Sequence, residues 1–561
     1  MTQQREERRR DIGTEAAENI LGPNPIVGLC GKDLFQTAGL LARQALRQPH
    51  LVLAHGFTFA AEAAHILGGT SRLAPDFRDR RFQDPTWKEN AFYRRVLQLY
   101  LSANKELHDW VDATSLDSDG RKRAHFVLSL FTDALAPSNS PLHPEALKRV
   151  LETGGESAMN GLRHLLDDLR HNGGMPSQVD KSAFKVGENL ATTSGTVVFR
   201  NEVLELIQYH PLTRKVCARP LLVVPPQINK FYVFDLSPKK SLVRYLLSIG
   251  VQTFTISWRN PTPAQRHWGL DTYVEAVEEA LDVIRDITGS EDCNLLGACA
   301  GAMTAIALVG HLAAQRERKV NATTLLVSAF DTGSDPGLLG LFATEEAIEG
   351  ARRHSHAQGV LDGKEMERVF AWLRPNDLVW NYWVNNYLLG QKPPAFDVLY
   401  WNSDSTRLPA KFHGDLLTLY QQNPLPVPGK LTVCGTPIDL SQVDGDFYAV
   451  AGVTDHIVPW QSSYHSSRLL GKCEFVLSNS GHIQSILNRP DNPKATFFIN
   501  TERPASAQAW LEGATKQNGS WWEHWKAWLL ARSGSQKATP ASPGNSTYMP
   551  LIEAPGTYVY E

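Results

Sequence analysis

Four short runs are rich in apolar and β-branched residues: "PLLVVPP" (220–226), "VQTFTISW" (251–258), "CNLLGAC" (293–299) and "TTLLVSAF" (323–330). Between them lie stretches with apolar residues three and four apart, as in "TYVEAVEEALDVIRDITG" (272–289) and "AMTAIALVGHLAAQRER" (302–318). A strand that is apolar throughout is buried on both faces, and the intervening period is that of helices. Only a mostly parallel sheet with helices on both faces covers such strands, so the fold class is α/β. Ser237, Pro238 and Gly250 read as the cap, first turn and stop of a further helix over 237–250. "GTVVFRNEVLELIQY" (195–209) reads as paired strands leading into this region.

The rhythm stops after Asp331 and resumes with "FYAVAGVTD" (447–455), a helical pattern over 461–470, and "CEFVLSNSGH" (473–482). The chain therefore divides as follows. A flexible start (1–20) precedes a mainly helical domain (21–190), in which "NAFYRRVLQLYLSANKELHDWVDA" (90–113) has strong helical periodicity. The first part of the sheet core (191–331) is followed by a cap or lid insertion (332–440). The second part of the core (441–531) ends in the Trp-rich "SWWEHWKAWLL" (520–530), and a flexible Ser/Pro/Gly/Thr-rich tail (532–561) follows.

At 561 residues the chain is long enough for several domains. A net charge of −3 argues against nucleic-acid binding. Six cysteines without a C-x-x-C pair, and no H-E-x-x-H, leave a metal site without support. The charged start lacks the apolar core of a secretory signal, and no stretch approaches the roughly 18 apolar residues of a membrane span. The expectation is a cytoplasmic protein in a reducing compartment, where thiols stay free.

The third apolar run ends in Gly297-Ala298-Cys299-Ala300-Gly301 and continues as a helix of small residues. A nucleophile at a sharp strand-to-helix turn needs small neighbours, and the helix N-terminus stabilises a thiolate or an oxyanion. The other reading is a small buried cysteine of the core. In an α/β-hydrolase-like sheet the acid and the histidine follow the nucleophile in that order. Asp455 and His482 close later apolar runs in that order, which makes Cys299, Asp455 and His482 the candidate catalytic triad. Taken singly, Asp455 is equally a turn residue and His482 a loop histidine. The backbone N–H of Ala300, with that of Ile228 or Asn229 in the loop after "LLVVPP", is the candidate oxyanion hole. His456 and Asp235 are auxiliary candidates, each equally a plain loop or turn residue.

"PPQINKFYVFDLSP" (225–238), "SWRNPT" (257–262), "GACAG" (297–301), "RPNDLVWNYWVNNYL" (374–388), "AGVTDHIVPW" (451–460) and "SGHIQSILN" (480–488) together resemble the poly(3-hydroxyalkanoate) synthases. The resemblance runs over nearly the whole chain and is strongest to class II, the medium-chain type. It implies a catalytic triad of Cys299, Asp455 and His482, and (R)-3-hydroxyacyl-CoA as substrate. A growing polyester chain and its granule surface are the implied partners, with a homodimer, no cofactor and no transmembrane segment. One position departs from the family pattern: Ala302 stands where glycine is usual.

Thioester exchange suits sulfur, because an acyl-cysteine stays close in energy to acyl-CoA. Asp455 either orients His482 or helps deprotonate the attacking hydroxyl. Trp380, Tyr382, Trp383, Tyr387, Tyr400 and Trp401 of the insertion either line an acyl passage, meet a second subunit or form cap core. Trp521, Trp525 and Trp528 share one helical face, which either packs on the enzyme or meets polymer. The rivals are a thioesterase, esterase or polyester depolymerase on the same scaffold, and a non-enzymatic granule-coating protein.

Overall fold

Helices dominate the first part of the chain in this computed structural model: α1 (Gly31–Arg47), α2 (Pro49–Gly68), α3 (Ala91–Ala113), α4 (Ser118–Ala134), α5 (Pro144–Glu152) and α6 (Glu156–His171). Residues 31–77, 79–333, 345–365, 375–455 and 457–561 are described. Two units result. The described residues of Leu29–Asp180 and Ala371–Pro394 form one, and those of Lys181–Phe370 and Ala395–Glu561 the other.

In the helical unit, Asn90 starts α3 by accepting from the N–H groups of Phe92 and Tyr93, and Asp117 starts α4 by accepting from Gly120. Phe82, Trp87 and Leu97 form one apolar cluster; Leu41, Val111, Leu116 and Ala124 form another. The 20-residue α2 is long and apolar enough by length and composition to cross a membrane. This departs from the sequence reading, in which no stretch approaches a membrane span. Folded as a helix, α2 sets His55 against Glu106 of α3 at 2.8 Å, an ion pair that a bilayer core penalises.

The stretch expected to be one cap divides between the units. Residues 375–394 belong to the helical unit, where Tyr387 Oη donates to the buried Asp168 (2.7 Å) and Trp383 Nε1 to Asn139 O (3.1 Å). Tyr382 is buried there as well. These aromatics pack on polar partners far away in sequence, which local composition does not reveal.

The second unit is built on an 11-stranded sheet. Its elements run β1 (Gly195–Arg200), β2 (Leu204–Tyr209), β3 (Leu221–Val224), α7 (Leu242–Ser248), β4 (Thr253–Trp258), α8 (Leu270–Thr288), β5 (Cys293–Ala298), α9 (Ala300–Gln315) and β6 (Val320–Leu326). They continue with α10 (Glu345–Gln358), α11 (Asp397–Ser403), α12 (Ala410–Gln422), β7 (Asp446–Gly452), α13 (Trp460–Arg468), β8 (Lys472–Ser478), α14 (His482–Ile486), β9 (Thr496–Ile499), α15 (Ala507–Glu512), β10 (Thr515–Asn518), α16 (Trp521–Leu530) and β11 (Ile552–Glu553). The order across the sheet is β10-β9-β8-β7-β6-β5-β3-β4-β2-β1-β11.

From β8 to β4 the neighbours are parallel, and antiparallel strands flank this block. β3, β4 and β5 are buried at every residue, which accounts for the apolar run of β3; β4 and β5 also bury Thr253, Thr255, Ser257 and Asn294. Chain order reverses direction at β3, between β4 and β5, and such a switch point opens a crevice at the strand C-termini.

Two local expectations are corrected. The cap before α7 is Ser241, whose Oγ accepts from Arg244 N; Ser237 instead lies in a short antiparallel pair, 235–237 with 240–241. The tail is not loose: residues 536–538 pair with 215–217, and β11 pairs with β1. The fully buried Glu205 carboxylate on β2 accepts from Thr557 N (2.8 Å), Thr557 Oγ1 (2.7 Å) and Tyr558 N (3.0 Å). Composition read the tail as coreless because its anchor lies some 350 residues upstream.

Removing the Glu205 carboxylate takes the acceptor from Thr557, from the buried Tyr558 N–H and from the Arg200 guanidinium. Glu205→Ala is expected to cost about 3 kcal/mol, the scale of charged buried hydrogen bonds, measured as a lowered denaturant midpoint with faster proteolysis of the tail.

Candidate active site

The first turn of α9 lies against the chain where it leaves β3. A Cβ built on Gly301 would sit 2.3 Å from Val224 O and 2.5 Å from Pro225 O; one on Gly297 would sit 2.7 Å from the Ala302 Cα. No side chain fits either place, which is why small residues surround the thiol. Cys299 itself has φ 50° and ψ −122°, a strained backbone for a residue with a side chain. Its N–H donates to Leu326 O on β6 (3.0 Å), and its carbonyl accepts from Ala302 N and Met303 N. The Ala300 and Gly301 N–H groups precede these and have no partner within the helix. Cys299 is half-buried and free.

Asp455 lies just beyond the end of β7. Its Oδ1 accepts from Ile457 N (2.9 Å) and Val458 N (3.0 Å). Its Oδ2 accepts from His482 Nδ1 at 2.7 Å, with both side chains almost wholly buried. His482 opens α14 directly after β8. With Nδ1 engaged, Nε2 is the ring nitrogen left for Cys299. Burial alone would lower the imidazole pKa. The Asp455 charge and hydrogen bond, together with a hydrogen bond to Cys299, outweigh burial and raise it to about 10. The structure thus brings Cys299, Asp455 and His482 together at the C-terminal ends of β5, β7 and β8.

Burial pushes the Cys434 and Cys473 thiols up to about 12, and Cys293 further in the same direction. They are held as neutral thiols, unsuited to nucleophilic attack.

Ile228 and Asn229 lie in the loop after β3, next to the end of β5. The Gln227 carbonyl accepts from Thr406 Oγ1 (2.6 Å), and Asn229 bridges to Ser405. Gln227 Nε2 donates to Thr304 Oγ1 on α9 (2.9 Å), and that hydroxyl turns back to Ala300 O. Gln227 and Thr304 therefore tie the loop carrying Ile228 to the helix carrying Ala300. The sequence reading passed over both; the one signal was a polar Thr304 in the otherwise apolar first ten residues of the helix.

Asp235 stands apart from this group. Its buried carboxylate accepts from Thr193 N (3.0 Å), Thr193 Oγ1 (2.5 Å) and Ser241 Oγ (2.6 Å), which makes it a brace for the start of α7. His456 lies outside the described residues.

A thiol on a strained strand-to-helix turn, followed in chain order by an acid and a histidine at later strand ends, defines the class: an α/β-hydrolase fold with cysteine at its elbow. Residues 220–488 match the alpha/beta hydrolase fold family. Residues 78–246 match the family described as the poly-beta-hydroxybutyrate polymerase (PhaC) N-terminus. The chain is 57% identical to poly(3-hydroxyalkanoate) polymerase 1 of Ectopseudomonas oleovorans, over 98% of this chain and 99% of that protein. It is 55% identical to polymerase 2 of the same organism, over 96% of each. To the poly(3-hydroxyalkanoate) polymerase subunit PhaC of Cupriavidus necator it is 43% identical, over 89% of this chain and 86% of the relative. The chain belongs to the poly(3-hydroxyalkanoate) polymerase family, whose members are acyltransferase-type enzymes.

Two outcomes follow from the geometry. Gly301→Ala must move α9 off the loop after β3, and a shift of that kind is expected to lower kcat by about 100-fold in a protein that remains folded by circular dichroism. The second concerns pH. The folded state holds the His482 proton more tightly than the unfolded chain does. The resulting stability is complete below the ordinary value of 6.5 and is lost as pH rises through about 10. Urea denaturation across that window is expected to show the stability difference between wild type and His482→Gln narrowing with pH.

Proposed function

We propose that the protein polymerises (R)-3-hydroxyacyl-CoA into poly(3-hydroxyalkanoate) with release of CoA, through an acyl-cysteine on Cys299. The single observation that carries this reading is the buried 2.7 Å His482–Asp455 hydrogen bond beside an elbow thiol, in a chain 57% identical to a poly(3-hydroxyalkanoate) polymerase.

His482 Nε2 takes the Cys299 Sγ proton, a transfer favoured by the Asp455 charge on the far side of the ring. The thiolate adds to the thioester carbonyl. The N–H groups of Ala300 and Ile228 receive the oxyanion. CoA departs as the thiol, carrying the proton returned by His482, and the acyl group remains on Cys299. The 3-hydroxyl of another unit then loses its proton to His482 and attacks an enzyme-bound acyl thioester. An oxoester forms, and the released thiolate is free for the next CoA ester. In this reading Asp455 orients the ring and stabilises the imidazolium.

Medium-chain substrates are the expected class. The resemblance to class II supports that choice. A cytoplasmic enzyme on the surface of its own polyester granule, working as a homodimer, completes the proposal.

The test offers (R)-3-hydroxyacyl-CoA esters of increasing chain length and measures both CoA release and polymer. Wild type is expected to yield both, fastest with medium chains. Cys299→Ala and His482→Ala are expected to lose at least about 1,000-fold of the CoA release, as for other nucleophile–base pairs. CoA release that ends only in free hydroxy acid would make the protein a thioesterase instead.

A further inference from the structure

The Trp-rich segment before the tail has a use beyond filling the core. Trp521 and Trp525 are fully buried and Trp522 nearly so. Their indole N–H groups point to different places. Trp525 Nε1 donates to Thr324 Oγ1 on β6 (2.9 Å). Trp521 Nε1 donates to Ser485 O (2.7 Å), and Trp522 Nε1 to Ile486 O (3.2 Å). Ser520 Oγ donates to Asn488 O. Three consecutive residues thus hold the carbonyls at and just beyond the C-terminal end of α14, the helix that begins with His482.

A helix of five residues cannot hold itself in place. Its last carbonyls have no partner within the helix, and in a buried site each needs a donor. The two indoles and the Ser520 hydroxyl supply those donors from a rigid neighbour. Trp521 also packs against Trp525 at 5.7 Å and against Tyr448 of β7 at 6.3 Å. β7 is the strand that leads to Asp455. Asn488 Nδ2 reaches back to Ser478 Oγ, at the end of the strand that leads to His482. One aromatic block is therefore braced against both strands whose ends carry the buried pair.

We propose that Trp521 and Trp522 are positioning residues for His482, acting through their indole N–H groups on the far end of α14. This rests on the reading of His482 as the base. Losing the N–H groups lets α14 tilt, so the imidazole leaves its alignment with Cys299 and Asp455. Substrate binding is untouched.

The test compares Trp521→Phe, Trp522→Phe and the double variant with Trp525→Phe, all in the full-length enzyme with (R)-3-hydroxydecanoyl-CoA. Each change removes an indole N–H and keeps an aromatic ring, but only the first two face α14. The double variant is expected to lose about tenfold or more in kcat, with KM within about twofold. The histidine pKa read from its pH–rate profile is expected to move down toward 6.5, as the Asp455 contact weakens. Trp525→Phe is expected to keep both kcat and the profile, whatever its melting temperature. Should Trp521→Phe fail to fold, Ser520→Ala, which removes the donor to Asn488 O, is expected to give the same signature. A wild-type kcat in the double variant overturns the proposal. So does an equal kcat loss in Trp525→Phe that follows the loss of melting temperature. His482→Ala run alongside separates the two levels: if it keeps full CoA release, the base assignment fails; if it is inactive while the double variant is normal, only the positioning role fails.

Discussion

The site depends on one close approach, the first turn of α9 resting on the Val224 and Pro225 carbonyls with no side chain between them. That contact fixes where the Ala300 N–H lies relative to the loop of Ile228. It also fixes how sharply the chain turns at Cys299, and so which way the sulfur faces. The Gln227–Thr304 hydrogen bond and the pairing of residues 227–229 with 405–406 hold the same loop from its other side. A strained φ at Cys299 persists only because these neighbours over-determine it.

Electrostatics completes what packing begins. A carboxylate and an imidazole removed from water gain from each other only if the geometry is good and the remaining lone pairs are satisfied. Asp455 meets both conditions, with two backbone N–H groups on Oδ1 and the ring on Oδ2. The result is a histidine with a strong preference for its protonated form, set beside the one described thiol that stands at a helix N-terminus. At Cys293, Cys434 and Cys473 burial raises the thiol pKa and holds the sulfur neutral.

The central parallel block was legible in the sequence because short runs rich in apolar and β-branched residues recur between helical patterns, and the positions of Cys299, Asp455 and His482 follow from where those strands end. What escaped was long-range. Ser241 rather than Ser237 caps α7, because the turn between them folds back as a strand pair. Asp235 serves Thr193 and Ser241, partners that its own neighbourhood does not announce. The tail looked coreless because its stabilising group, Glu205, is on β2. The aromatic stretch 378–390 could not be assigned to a unit, since its partners Asn139 and Asp168 precede it by more than 200 residues.

Ala302 is the one place where the elbow departs from the glycine usual in the resembling family, and the structure gives the departure a physical meaning. The steric limit at this turn falls on Gly297 and Gly301, whose missing Cβ atoms make room for the Ala302 backbone and for the chain leaving β3. Residue 302 is the backbone being accommodated. Its own methyl group is fully buried in the core of α9 and removes the conformational freedom that glycine would add to the unfolded chain. An alanine at the start of a packed helix therefore stiffens the turn that presents the thiol, while the donors ahead of it, Ala300 and Gly301, keep their N–H groups. The substitution bears on how firmly the elbow is held, and Cys299, Asp455 and His482 are the same with or without it.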